Sequence, residues 1–277
     1  MRPAHWILYG ILMLVLVVTV DTAFRGVLSG RTEIETRLAA SSLSNRPLII
    51  YLPGLLADGE WSPRLFVETW RQHGDVWLVN PLGDRFDGHV VAQTVAQQLE
   101  SDSHEHVIFI GSSLGGHLAD QVIGLLNPTK RASVKIDVVA ACSPGDGSDI
   151  QSPLRQAMSL TRIIRFGPLA NATIGHMVTR VVAGQQPRQF ELTYYIDQVR
   201  YVAESPRLSH LAGVRVFYLQ ADEDELVSKT AAVKWQQAAD SGTFHLTAVH
   251  SKHVAYDTTP TVWDEAFEAA LQAAAEK

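Results

Sequence analysis

Gly111-Ser112-Ser113-Leu114-Gly115 lies between an apolar run, His106 to Ile110, and a stretch, Leu114 to Leu126, that reads as a helix. This is Gly-x-Ser-x-Gly in strand-turn-helix context, and it constrains the chain sterically. A serine at the apex of so sharp a turn needs small neighbours, which Gly111, Gly115 and Gly116 supply. Two roles are open to Ser113, helix N-cap and nucleophile. They are compatible, because a helix N-terminus also aims backbone N–H groups at a reacting centre.

The segments on either side alternate in period. Leu48 to Leu52 is a continuous apolar run closed by Pro53-Gly54, as expected of a strand buried on both faces. Ser62 as N-cap, Pro63 in the first turn and Gly74 at the end predict a helix over 63–73. Val76 to Val79 reads as a strand stopped by Asn80-Pro81, and Val91, Val95 and Leu99 give a helix over 89–100. The strand 106–110, the helix 114–126 ended by Asn127-Pro128, and the strand Val134 to Ala141 follow. This alternation with short loops predicts an α/β fold, a mostly parallel sheet with helices on both faces. After Ser143-Pro144-Gly145 the rhythm breaks, and Asp146 to Leu211 shows helical spacing without a convincing strand. A helical cap or lid over 146–211 is expected there, the plainer reading being ordinary covering helices. Strands at Val214 to Gln220 and Phe244 to Val249, and helices at Ser228 to Ala239 and Pro260 to Ala274, complete the pattern.

The N-terminus has a different character. Trp6 to Val20 is uncharged and almost wholly apolar. Fifteen helical residues span about 22 Å against a hydrocarbon thickness of roughly 30 Å, and flanking residues extend the run. Asp21 stands where a cleavage site ending at Ala23 needs a small neutral residue, so an uncleaved membrane anchor over 1–25 is expected rather than a removed signal. Arg2 on one side and Arg25 and Arg31 on the other leave its orientation open. Residues 26–46 read as a tether to an α/β domain over 47–275. With 277 residues, 46% of them hydrophobic, that domain can bury a sizeable core. A net charge of −6 without a dense Lys/Arg block argues against nucleic acid as the main partner and points to a small, neutral or apolar substrate. Cys142, the only cysteine, excludes an internal disulfide framework and a cysteine-based metal site, and reads as a small core residue.

In an open parallel sheet the ligand site lies beyond the carboxyl ends of the strands, where loops distant in sequence converge. A serine hydroxyl becomes a nucleophile when an imidazole takes its proton and a carboxylate fixes the imidazole tautomer. The strand 214–220 is followed at once by Ala221-Asp222-Glu223-Asp224-Glu225-Leu226-Val227, and the strand 244–249 by His250-Ser251-Lys252-His253. The order is therefore serine, acid, histidine, with Asp222 and Asp224, and His250 and His253, all candidates.

In these features the chain resembles the α/β-hydrolase superfamily over about residues 47–275. The resemblance implies the α/β-hydrolase fold, and an oxyanion hole made by the N–H of Leu55, in Pro53-Gly54-Leu55, and that of Leu114. Asp224-Glu225-Leu226-Val227 matches the latter half of the family's Gly-x-x-Asp-x-x-Val, with Ala221 in place of the glycine; this favours Asp224 as the acid and makes Asp222 the runner-up. Ser251-Lys252-His253-Val254 resembles the Ser-Gly-His-Val of some carboxylesterases, with Lys252 in place of the glycine; this favours His253 over His250. The expected function is a membrane-tethered serine hydrolase that cleaves a small-molecule or lipid-like ester or thioester through an acyl-enzyme on Ser113, without metal or organic cofactor. Acyl transfer or amide hydrolysis by the same triad is the nearer alternative, and a non-catalytic membrane-held scaffold the more distant one.

Other signals are weaker. His104 and His106 read as a solvated loop rather than a metal pair, and His117 and His176 as surface or packed histidines. Asn171-Ala172-Thr173 fits a glycosylation acceptor by pattern alone. Arg155, Arg162 and Arg165 read as a solvated face, and Trp61, Trp70 and Trp77 as packing residues.

Overall fold

Successive strand side chains point to opposite faces of a sheet, and here both sets are apolar, so the sheet is covered on both sides. The computed structural model describes residues 31–39, 46–54, 63–82, 86–151, 192–240 and 242–276. Its strands are β1 (Arg31–Arg37), β2 (Leu48–Leu52), β3 (Asp75–Leu82), β4 (His106–Ser112), β5 (Lys135–Ala141), β6 (Arg215–Glu223) and β7 (Phe244–Lys252). Its helices are α1 (Val67–His73), α2 (Gly88–Glu100), α3 (Leu114–Leu125), α4 (Pro128–Ser133), α5 (Leu192–Glu204), α6 (Thr230–Ala238) and α7 (Pro260–Ala275). The sheet runs β1-β3-β2-β4-β5-β6-β7, with β1 antiparallel to β3 and every other pair parallel.

One core packs Ile50, Val79, Phe109, Val138 and Tyr218 of the strands against Val95 of α2, Val122 of α3 and Trp235 of α6. The other packs Ile49, Tyr51, Ile110, Val139 and Leu219 against Trp70 of α1 and Trp263, Phe267 and Leu271 of α7. The two sets alternate along β2, β4 and β5, as the pleat requires. Local chemistry places the helix starts: Asp87 accepts hydrogen bonds from His89 and Val90 N–H at the head of α2, and Asn127 does the same from Lys130 N–H at the head of α4.

Three expectations need correction. The 26–46 tether contains β1, whose register runs from Arg31 opposite Leu82 to Arg37 opposite Val76. Asn80-Pro81 does not stop β3: β2 pairs with β3 only as far as Leu78, so Pro81 lies beyond β2's reach and its missing N–H costs no ladder bond on that side. The helix over 63–73 is a 3-10 turn at Pro63–Leu65 followed by α1.

The expected anchor over 1–25 lies outside the described residues, as do Leu55, Trp61, Ser62 and 152–191 of the expected cap with Asn171, His176 and the three arginines. Of that cap, 146–151 and 192–211 are described, the latter beginning with α5. Among the described residues, no helix is long and apolar enough to cross a membrane.

Candidate active site

The turn between β4 and α3 shows why its glycines are needed. A Cβ at Gly115 would fall 2.0 Å from the Leu52 carbonyl oxygen, and one at Gly111 would fall 2.6 Å from Gly116 N. With both neighbours bare, the chain reverses so tightly that Ser113 takes φ 49°, ψ −112°, a conformation L-residues rarely adopt. Ser113 N–H donates to Ala141 O at 2.8 Å, which ties the turn to the end of β5.

Ser113 Oγ stands 3.0 Å from His253 Nε2, and His253 Nδ1 stands 2.9 Å from Asp224 Oδ2 and 3.0 Å from Oδ1. With the Nδ1 proton donated to Asp224, Nε2 is the acceptor for the serine hydroxyl. The Asp224 side chain is fully buried, and its Oδ1 also accepts from Leu226 N–H at 2.9 Å and Val227 N–H at 2.8 Å. Burial pushes the Asp224 pKa up, but the His253 bond and charge and the two backbone donors outweigh it, so the pKa falls below the usual carboxylate value. Asp224 is therefore a carboxylate at neutral pH.

The acid's loop is itself held. Gln151 N–H donates to Leu226 O at 2.8 Å, and Ile150 bridges Val227. Buried Asp149 accepts from Gly145 N–H and Thr230 Oγ1 and pairs with Lys234 at 2.8 Å. The loop after β5 is thus stitched to the one that carries Asp224. The histidine loop is anchored by Tyr256, whose hydroxyl lies 2.9 Å from Ser112 Oγ and whose ring packs edge-on against Phe66 and Trp263.

The two runners-up form a separate pair. His250 Nδ1 is 2.7 Å from Asp222 Oδ2, and the His250 side chain is 83% exposed. On β7, Val249 and Ser251 point inward while His250 and Lys252 point out. A register shift between Ala221 and Glu223 separates Asp222, on the rim, from Asp224, under it.

Leu114, first in α3, has an N–H without an intrahelical partner, beside Ser113. A Cβ at Gly54 would come within 3.3 Å of Ser113 Cβ, so the chain leaving β2 runs along the Ser113 turn.

Sequence reasoning missed Asp149, although the spacing of Asp146 and Asp149, which form a reciprocal capping box, carried a local signal for it. Cys142, Asp224 and His253 bring ligand atoms within 4.8 Å of one another, the only group of metal-ligand spacing among the described residues. Asp224 and His253 are hydrogen-bonded to one another, and burial, then the Asp224 charge, push the Cys142 thiol above its ordinary pKa. His104 bridges Asp102 and Asp75, and His106 binds Asp137, at the opposite edge of the sheet; both are pinned rather than solvated.

The sequence matches no family model and no curated relative. Solved structures similar to it include the type II thioesterase BorB from the borrelidin biosynthetic cluster, with 17% identity and a TM-score of 0.61 over 86% of this chain and 96% of that one. The enol-lactonase from Burkholderia xenovorans LB400 shows 14% identity and a TM-score of 0.62 over 87% and 97%. MGS-M2, an alpha/beta hydrolase enzyme from a Medee basin deep-sea metagenome library, shows 14% and 0.62 over 90% and 96%. Likeness at these identities is likeness of fold.

Proposed function

We propose that this chain, which has the α/β-hydrolase fold, is a serine hydrolase that cleaves a carboxylic ester or thioester through an acyl-enzyme on Ser113. The observation that carries the reading is the unbroken path Ser113 Oγ, His253, Asp224, with steps of 3.0 and 2.9 Å. Ser113 Oγ attacks the carbonyl carbon as His253 Nε2 takes its proton; Asp224 holds the Nδ1 proton and stabilises the imidazolium. The tetrahedral intermediate collapses, and the alcohol or thiol leaves with the proton from Nε2. Water then gives a proton to His253 and attacks the acyl carbon; the acid departs and Ser113 regains its proton. Leu114 N–H holds the developing oxyanion, joined by Leu55 N–H as the family resemblance implies. A thioesterase and an enol-lactonase among the similar structures fit a substrate of this class. The apolar run Trp6 to Val20 belongs to the same proposal, as a tether that brings the domain to lipid-like esters; the full chain should resist carbonate extraction from membranes, and a chain lacking 1–25 should not.

The test is Ser113→Ala against short-chain nitrophenyl esters. The rate should fall by at least about 10³-fold, and an unchanged rate refutes the reading. A fluorophosphonate probe should label Ser113 covalently, which an inert scaffold would not permit. Product analysis with water against an added alcohol or amine separates hydrolysis from acyl transfer.

A further inference from the structure

The two turns that bring Ser113 and His253 together are strained alike. Ser113 has φ 49°, and Val254, the residue after His253, has φ 37°, a conformation that a β-branched residue rarely accepts. Strain of this kind persists where surrounding contacts over-determine it. At Ser113 the bare glycines of the turn and the bond to Ala141 do so. The histidine turn has no glycine, since Lys252-His253-Val254-Ala255 carries a Cβ at every position, and its hold comes from its two stems.

On the first stem Ser251 Oγ accepts from Trp263 Nε1 at 3.0 Å and lies 2.8 Å from Thr259 Oγ1, which fastens that side to the head of α7. On the second, Tyr256 N–H donates to Val254 O at 2.7 Å, and the Tyr256 hydroxyl shares a hydrogen bond of 2.9 Å with Ser112 Oγ. Ser112 ends β4 immediately before the nucleophile, on the face that Ile108 and Ile110 present to the core holding Tyr256. Both residues are buried, so the bond closes a polar pair inside an apolar layer. Burial raises the Tyr256 pKa well above its ordinary value, which keeps the phenol a neutral hydroxyl. Phe66 and Trp263 meet the ring edge-on, and Phe267 lies tilted 5.9 Å away, so packing that does not depend on the hydroxyl aims it at Ser112.

We propose that Tyr256 and Ser112 are positioning residues: their hydrogen bond fastens the turn that carries His253 to the strand that carries Ser113, and so holds Nε2 at 3.0 Å from Ser113 Oγ. The proposal rests on the serine-hydrolase reading for its effect on rate, though not for its effect on the turn. A reacting group displaced by about 1 Å loses on the order of 10²-fold in rate, so a slackened stem is felt in turnover before it is felt in binding.

The experiment compares the parent with Tyr256→Phe, Ser112→Ala and the double variant, reading kcat, KM and Tm on a nitrophenyl ester at a temperature where every chain is folded. Each single substitution leaves one buried hydroxyl without its partner and should lower Tm by several degrees; the double variant leaves no such orphan and should regain most of that loss. The tie is absent from all three, so kcat should fall by about 10-fold to 10²-fold in all three, with KM within about twofold of the parent. Groups that serve stability alone would make the rate follow Tm. A double variant that regains the parent kcat therefore overturns the proposal, as does a single variant whose kcat stays within about twofold of the parent. Should either single variant fail to fold, the double variant carries the test. Backbone hydrogen exchange at 252–256 gives a second measurement, free of turnover: it should quicken in the double variant while exchange in β5 stays as in the parent, and equal exchange at 252–256 overturns the hold on the turn. A parent Ser113 inert to the fluorophosphonate overturns the hydrolase reading instead, and the exchange still decides whether the bond holds the turn.

Discussion

Replacing Asp224 by asparagine tests the path at its far end, and the structure fixes how the amide must lie. Oδ1 accepts from Leu226 and Val227 N–H at 2.9 and 2.8 Å, so the amide oxygen has to occupy that position; the reverse orientation would set an NH₂ group against two buried N–H donors. Two lost bonds at about 1–3 kcal/mol each put the reversed form below a few per cent. The NH₂ then takes the place of Oδ2, 2.9 Å from His253 Nδ1. Donor faces donor, and the ring either moves its proton to Nε2 or swings out of line. Either way Nε2 no longer accepts from Ser113 Oγ. Loss of the correct tautomer costs about 10⁴-fold in turnover, equivalent to about 5 kcal/mol of barrier. The assay is kcat on a nitrophenyl ester, with Asp222→Asn as the control. That control removes an exposed, solvent-screened pair and should stay within about twofold of the parent. If Asp224→Asn retains a tenth of the parent rate, or Asp222→Asn loses more than Asp224→Asn, the assignment of the acid is refuted.

Other predictions follow from the same contacts. Gly115→Ala drives a Cβ to 2.0 Å from the Leu52 carbonyl, so α3 must shift off β2; a loss of about 1–3 kcal/mol, read as a fall of several degrees in Tm, should accompany a lower rate, and an unchanged Tm refutes the steric argument. Burial lowers the His117 pKa to about 4, against the pull of Asp120, Asp146 and Asp149. The unfolded chain therefore takes up this proton first as pH falls, and the contribution of His117 is intact above pH 6.5 and lost on the way down to 4; the parent should lose about 3 kcal/mol more over that window than His117→Leu in urea titrations, and parallel curves would refute it. Burial pushes the pKa of Asp137 up, yet hydrogen bonds from His106 and Arg215 bring it below the usual value, so its stabilisation is present above the ordinary carboxylate pKa and is lost as pH falls through the lowered one. Asp137→Asn should cost about 3 kcal/mol at pH 7 and progressively less toward pH 3, and a deficit that does not depend on pH would refute the pairing.

The sheet and the order of its site residues were legible because each signal is local. Pro53-Gly54 closes β2, Thr259-Pro260 opens α7, and the small residues around Ser113 answer a steric demand that the turn makes by itself. The choice between Asp222 and Asp224 is of another kind. Likeness to the family's Gly-x-x-Asp-x-x-Val favours Asp224, and the fold sets beside it a register shift at Ala221/Glu223, a property of the β6–β7 pair that neither strand carries alone. β1 escaped notice because Ile34 is the one apolar residue in Arg31-Thr32-Glu33-Ile34-Glu35-Thr36-Arg37, and it is half-buried against the core while the rest suits an exposed edge. Pro81 misled for the matching reason: a proline stops a strand only where a neighbour needs its N–H. Cys142 looked like a core residue, and it is one. That its sulfur lies within 4.8 Å of ligand atoms of Asp224 and His253 requires three loops to converge, and no spacing along the chain encodes that.

The two edges of the sheet divide the energetic work. At the carboxyl rim Ser113, Cys142 and Val254 hold strained conformations that destabilise the fold by about 1–3 kcal/mol each. At the amino edge the polar groups are tightly paired: His104 joins Asp75 to Asp102, Asp137 takes His106 and both a guanidinium Nε and Nη2 of Arg215, and Arg215 and Lys135 reach the terminal carbonyls of α7 at Ala274. Those cations satisfy acceptors that a helix end leaves open and sit favourably against its dipole. Both edges belong to the same strands, so rigidity anchored at one end resists relaxation of the strained turns at the other. Substitutions at the amino edge should therefore lower stability while leaving the pH dependence of kcat/KM in place.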